Sequence, residues 1–383
     1  MKGHIKKRGN SWSIVIYLGR NTEGKRQYKW HTVSGTKKDA EREMHQLLVA
    51  LGDGKYIEPN KLTVREYLYK WLELVKPKLM LKTYSRYEEI CEKHLIPALG
   101  HHRLMKLNGL HIEDYYAQAR ESGRVDGKGG LSEQTLLHHH RVLKEALQKA
   151  VRLKQRSGNP ADDVDTPKPR KNKVEVLDEE QTIKLLEATG TQLYTPILLT
   201  VTTGLRLGEL LGLRWKDVKG AKITVSQTLQ RIKGHGLVFN DYPKSKSSAR
   251  NVALPSLTLE ALKAHKVEQS KIRLQLGPDY RKDLDLVFPA WDGSPWSPDS
   301  MSHMFKRLAK KLGYHDITFH GLRHTHASHL LKQNVHMKIA SERLGHSSIN
   351  ITMDLYSHLL DGMDDEAANK IDQALRAAMK KRD

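Results

Sequence analysis

Hydrophobic positions along this chain recur with helical spacing over most of its length and with strand spacing in only a few short stretches. Near the start, Trp12 to Leu18 alternates and places Trp12, Ile14, Ile16 and Leu18 on one side. Asn21 to Gly24 reads as a turn and Arg26 to Thr32 as the returning strand. Thr36 is placed to cap a helix through Leu51, with Asp39 in its first turn and Ala40, Met44, Leu47, Leu48 and Leu51 on its apolar face. The pattern predicts a small sheet backed by one helix.

From residue 60 to residue 156 the period is helical throughout. Thr63 and Glu66 fit a capping box ahead of a stripe made by Val64, Tyr67, Leu68, Trp71, Leu72 and Val75. Further helices are expected over Lys82–His94, His111–Ser122 and Ser132–Lys154, the last with Leu136, Leu137, His140, Leu143, Leu147 and Val151 on one face. His138, His139 and His140 do not make a metal site, because consecutive helical residues point about 100° apart. Ser157–Lys173, with Gly158, Pro160, Pro167 and Pro169, reads as an exposed linker.

Beyond it, Asp178 is placed to cap a helix over Glu179–Ala188, and an apolar helix over Thr195–Thr203 ends at Gly204. Strands are expected at Lys222–Thr228 and Asn251–Leu254, with the basic, polar run Lys244–Arg250 between them. Helices follow over Thr258–Leu274, Ser300–Leu312, His320–Lys332 and Met337–Leu344. A terminal helix over Asp364–Lys381 carries Ala368, Ile371, Leu375 and Met379 on one side. The expected organisation is multidomain: 1–56 a small three-stranded sheet plus helix, 60–156 all helical, 157–173 a linker, and 174–383 mainly α with a small antiparallel sheet.

Composition narrows the partners. The chain has 65 Lys plus Arg against 44 Asp plus Glu, a formal charge of +21, which predicts attraction to a polyanion. Residues 1–31 alone hold eight Lys or Arg and one Glu, which favours a DNA-binding appendage over the alternative of a generic mini-domain. No run approaches the roughly 20 apolar residues of a membrane span, and no apolar core follows the basic N-terminus. The single cysteine, Cys91, excludes an internal disulfide. These features point to a cytoplasmic protein with no membrane partner.

The chemistry lies in the last half. Arg206 sits in Thr203-Gly204-Leu205-Arg206-Leu207-Gly208-Glu209; His320-Gly321-Leu322-Arg323, Leu344-Gly345-His346 and Tyr356 follow. Guanidinium groups suit a phosphodiester whose equatorial oxygens gain charge as a nucleophile attacks. His320 and Arg323, three apart on a helix, share a face. Glu209 is placed to restrain an arginine or the local turn. A phenol has a reference pKa of about 10, so Tyr356 needs clustered cations and an imidazole to act as nucleophile. The leaving 5′ oxygen needs a proton, for which Lys244 and Lys246 compete. No metal or cofactor is required. Singly, each residue reads as surface, packing or helix chemistry; their joint occurrence in this order changes that.

The whole set resembles that of the tyrosine recombinases, and among them the arm-binding integrases of temperate phages and conjugative transposons of Gram-positive bacteria. Thr203 to Glu209 is similar to the family's first-arginine motif, His320 to Thr325 to its His-x-x-Arg box, Leu344 to His346 to its second histidine site, and Tyr356-Ser357-His358 to its nucleophile region. The resemblance implies an arm-type DNA-binding domain, a SAM-like core-binding domain and a catalytic domain of the recombinase fold. It implies that Arg206 and Arg323 hold the scissile phosphate, that His320 and His346 aid proton transfer, and that Tyr356 forms a 3′-phosphotyrosine. The family's lysine lies on a hairpin, which fits Lys244 best and leaves Lys246 open. A homotetramer on core and arm sites would pass through a Holliday junction, integrating and excising a mobile element in a bacterial host. The terminal helix would dock on a neighbouring protomer, and a host DNA-bending factor and an excision factor are expected partners. A type IB topoisomerase and a non-catalytic DNA-binding regulator are the competing readings.

Overall fold

The computed structural model describes residues 2–20, 23–52, 60–170, 175–241, 250–346 and 348–356, together with 368–369, 371–373, 375–376 and 379. They form two compact units that divide between residues 171 and 172.

The first unit opens with three antiparallel strands, β1 (Lys2–Arg8), β2 (Ser11–Arg20) and β3 (Arg26–Ser34), in the order β1-β2-β3, followed by α1 (Lys37–Gly52). Ile14 pairs with Ile5 and His31, and Ile14, Ile16, Val33 and Ala40 are buried with Met44, Leu47 and Leu48 of α1 packed against them. Thr36 caps α1 as expected, its hydroxyl accepting from the Asp39 N–H at 3.3 Å. The simple alternation does not hold to its end. The β2–β3 register shifts between Tyr17 and Gly19, Leu18 becomes exposed, and Ser13 and Val15 are buried too; a bulge of one residue turns the following side chains to the other face.

The helical part comprises α2 (Val64–Val75), α3 (Leu81–Ile90), α4 (Ile96–Leu99), α5 (Gly109–Ser122) and α6 (Glu133–Arg152), with a π-helical turn over Cys91–Leu95 joining α3 to α4. The Thr63–Glu66 capping box is present, and Tyr67, Leu68, Trp71 and Leu72 are buried, as their spacing requires. Tyr67 donates its hydroxyl to the Ala146 carbonyl at 2.7 Å, tying α2 to α6. Cys91 is fully buried, and burial pushes its thiol up to about 12, so it is inert packing.

The stretch expected as an exposed linker begins differently. Arg156 is buried and donates to the carbonyls of Leu104 and Leu107 at 3.1 and 2.9 Å. Asn159 donates to the Lys144 carbonyl at 3.1 Å, and Ala161 is buried in the helical core. Polar side chains that satisfy backbone groups pin residues 156–161 to the bundle.

The second unit contains α7 (Glu179–Glu187), α8 (Thr191–Thr203), α9 (Leu207–Leu211), β4 (Val218–Lys219), β5 (Lys222–Val225), β6 (Gln227–Ile232), β7 (Gly236–Asp241), β8 (Arg250–Ala253), α10 (Ser256–Leu276), α11 (Pro298–Lys311), α12 (Phe319–Lys332), α13 (Met337–Leu344) and α14 (Ile349–Tyr356). Strands β4, β5 and β8 form one antiparallel sheet, and β6 and β7 form a separate hairpin. The expected strand over Lys222–Thr228 is thus two, and the hairpin turn uses Gly234 and Gly236 at φ +76° and +71°. Leu199, Leu210, Ile223, Phe288, Phe305 and Leu322 share the core beneath the site. The terminal helix expected over Asp364–Lys381 lies largely outside the described residues; Ile371, Leu375 and Met379, which are described, are exposed. No helix among the described residues is long and apolar enough to cross a membrane.

Candidate active site

Two left-handed glycines shape the site. Gly204 ends α8 at φ +69°, and Gly345 ends α13 at φ +67°. The Gly204 carbonyl accepts from Arg323 Nη1 at 2.7 Å, and the Gly345 carbonyl accepts from Arg206 Nη2 at 3.2 Å. Each helix terminus therefore turns a carbonyl towards a guanidinium. A side chain at Gly204 would be strained by φ, and its Cβ would lie 2.7 Å from Leu344 and 2.8 Å from His326.

Arg206 occupies the residue before α9 in extended conformation. Its backbone N–H donates to Glu209 Oε2 and its Nη1 to Oε1, both at 2.9 Å. Arg323 lies one turn into α12 and is 2 % exposed, whereas the Arg206 side chain is 39 % exposed. The helix α12 is started by Thr318, whose hydroxyl accepts from the Gly321 N–H at 3.1 Å. His320 stands on the same helix face as Arg323. Packing around the His320 ring lowers its pKa, and the charges of Arg323 and Arg206 lower it further.

His346 follows Gly345 and is half-buried. Its Nδ1 shares a hydrogen bond with the Thr352 hydroxyl of α14 at 2.7 Å. Burial, then the charges of Arg323 and Arg206, hold its pKa down to about 4, so the ring is neutral at pH 7. Arg206 and Arg323 thus act on both His320 and His346, although the four residues lie up to 140 positions apart. Tyr356 is the last residue of α14, the helix tied to His346 through Thr352. Lys244 and Lys246 lie outside the described residues, between β7 and β8.

Glu209, expected to restrain an arginine, does so, and two further residues that frame the site, Arg250 and Arg343, carry no motif signal. Glu209 is buried and accepts from Arg250 as well, at 3.1 Å from Nη1 and 2.7 Å from Nη2. Burial alone would raise its pKa, but the hydrogen bonds and charge of Arg250, with those of Arg206, bring it down to about 2. Arg343 donates from Nε to His326 Nε2 at 3.1 Å and from Nη2 to the carbonyls of Thr202 and Ala253. His326 Nε2 is then an acceptor, so its proton sits on Nδ1 and is donated to the Val201 carbonyl at 2.9 Å. In sequence Arg250 is one more cation closing a polar run, and Arg343 one more on a helix. The ordered termini that they join become visible only in three dimensions. Among the described residues, no group of three His, Cys, Asp or Glu is placed to hold a metal ion.

Comparison with known proteins matches two models. The phage integrase family model covers residues 175–363, and the phage integrase N-terminal SAM-like domain covers residues 63–118. The chain belongs to the phage integrase family of tyrosine recombinases. Within it, the chain is 27 % identical over 377 residues to a XerC-like tyrosine recombinase of Caldanaerobacter subterraneus subsp. tengcongensis, covering 93 % of this chain and 94 % of the relative. It is 28 % identical over 297 residues to the ICEBs1 integrase of Bacillus subtilis, covering 76 % and 78 % respectively. In fold it is similar to the Tn1549 transposon integrase solved with circular intermediate DNA (TM-score 0.68, 22 % identity, 82 % of this chain and 99 % of that one). It is also similar to the lambda integrase tetramer solved on a Holliday junction (TM-score 0.53, 18 % identity, 90 % and 95 %). As a member of this family the chain is a site-specific DNA recombinase.

Proposed function

We propose that this recombinase cuts and rejoins attachment-site DNA at the surface made by Arg206, His320, Arg323 and His346, with Tyr356 as nucleophile. The observation that carries the assignment is the convergence of those four side chains from three separate helix termini, next to the helix that ends in Tyr356. Arg206 and Arg323 hold the non-bridging oxygens of the scissile phosphate and stabilise the charge that builds on them. The Tyr356 phenol loses its proton to a neighbouring neutral imidazole as its oxygen bonds to phosphorus. The bond to the 5′ oxygen breaks, and that oxygen takes a proton from Lys244 or, by the alternative, Lys246. The product is a 3′-phosphotyrosine and a free 5′-hydroxyl. The phosphoester bond is conserved, so attack by a new 5′-hydroxyl reverses the step without nucleotide hydrolysis.

A homotetramer on two duplexes would exchange one pair of strands, pass through a Holliday junction and exchange the other, integrating or excising a mobile element. The N-terminal sheet fits arm-site binding. Lys6, Arg8, Tyr17, Tyr28 and Trp30 share the face opposite α1, Tyr28 and Trp30 are exposed, and the Arg8 guanidinium lies 5.9 Å from the Trp30 ring centre. Cations interleaved with aromatic rings suit phosphate and sugar contact. A DNA-bending host protein and a small excision factor fit the same scheme, acting in a bacterial cytoplasm. The test is a reaction with two labelled attachment-site duplexes. Four-way junctions and reciprocal recombinants are expected, and relaxation of single supercoiled circles without paired sites would replace this reading with a topoisomerase.

A further inference from the structure

Arg250 has no part in the reaction as assigned above, yet it is built into the site. It is the first residue of β8, and its side chain is 10 % exposed. Its fork donates to both oxygens of Glu209, at 3.1 and 2.7 Å, and its Nε donates to the Arg343 carbonyl at 3.0 Å. The same carboxylate accepts from the Arg206 backbone and from Arg206 Nη1. Arg250 also lies directly under Gly345, where an added Cβ would meet its Nη1 at 2.8 Å.

A single buried carboxylate therefore stands between two guanidiniums, one enclosed and one open to solvent. Glu209 fixes the backbone and the side chain of Arg206, but it does so by placing a negative charge beside a group meant for an anion. Glu209 with Arg206 alone would be a neutral pair with less attraction for phosphate than an unpaired guanidinium. Among the described residues, a second guanidinium on the same carboxylate changes the balance of these groups from zero to +1.

We propose that Arg250 is a positioning residue for strand cleavage: by matching the charge of Glu209 it leaves the positive charge of Arg206 available to the scissile phosphate. It touches no DNA in this account and acts through Glu209. The inference rests on Arg206 holding the phosphate, and one arm of the test addresses that separately.

The experiment uses the full chain and a nicked suicide duplex on which the unmodified protein forms its covalent adduct. The adduct-forming rate constant and the dissociation constant are measured for Arg250→Gln, Glu209→Gln, the double variant and Arg250→Lys. Charge matching predicts that Arg250→Gln slows adduct formation by about 100-fold, with DNA affinity within about 2-fold. Removing the unmatched carboxylate in the double variant restores at least about 10-fold of that loss, and Arg250→Lys, which keeps the charge but not the fork, falls between. A double variant no faster than Arg250→Gln overturns the proposal, since a purely structural clamp loses more when both ends go. Should Arg250→Gln fail to fold, the other side of the cycle decides. With Glu209 already Gln, the further change of Arg250 must cost less than about 3-fold, and a larger loss overturns the proposal. Undiminished adduct formation by Arg206→Ala would instead sink the site reading on which this one stands.

Discussion

Thr352 is fully buried, and its hydroxyl meets Nδ1 of His346 at 2.7 Å, so one side chain sets both the ring's orientation and its tie to the tyrosine helix. Thr352→Val keeps the shape and removes the bond. Adduct formation should slow by about 10-fold with DNA affinity unchanged, and Thr352→Ser should recover most of the rate. Equal rates for Val and Thr on the suicide duplex would exclude this role. Gly204 supports a second expectation at this scale. Gly204→Ala combines a left-handed φ of +69° with close approaches to Leu344 and His326, and should cost roughly 2–4 kcal/mol in urea unfolding. The clustering of Arg206, His320, Arg323 and His346 was legible in sequence because phosphoryl transfer needs cations and imidazoles, and few other reasons place them in this order. Arg250, Arg343 and Thr352 were not legible, because their partners are backbone carbonyls and a carboxylate brought together by tertiary structure.

At the scale of elements, local signals told most where they were self-contained. The boxes at Thr63–Glu66 and Asp178–Gln181 and the Ser132 cap start their helices where the sequence places them, since each bond spans three residues. The β6–β7 hairpin and the Leu18 bulge carry no such local signal, because pairing across strands fixes them rather than any one segment's period. The three histidines of α6 show the same limit. Their spacing ruled out a metal, and the structure gives two of them hydroxyl partners on α5: His139 Nδ1 meets the Tyr115 hydroxyl at 2.6 Å and His140 Nδ1 meets that of Tyr116 at 2.9 Å. Burial, then the charges of His94 and other neighbours, lowers the His139 pKa to about 4. The unfolded chain would take up its proton near pH 6.5, so it binds more protons than the folded chain between about pH 6.5 and 4. Stability should therefore fall as pH drops through that window and stay flat above it. At pH 5 His139 alone should contribute a loss on the order of 2 kcal/mol. Urea midpoints at pH 7.5 and pH 5 check this, and His139→Phe should shrink the difference between them.

Across the whole molecule, charge and chemistry are divided between two demands. The excess of +21 supplies attraction to DNA without choosing a sequence or cutting a strand. On the proposed reading the cut belongs to a handful of side chains in the second unit, held by helix termini and by the Glu209 cluster. Affinity for the attachment duplex should fall at least about 100-fold between 50 and 200 mM salt, as fluorescence anisotropy would record, and the Tyr356→Phe protein should follow the same line. A salt-insensitive complex would mean that the basic surfaces are not the ones engaged. The nucleophile is tested most directly by trapping the protein on a suicide duplex, digesting the complex and sequencing the peptide that carries the nucleotide. The expected product is a 3′-phosphate ester on Tyr356, with full binding and no adduct for Tyr356→Phe. An adduct on any other residue, or one that persists in that variant, would contradict it.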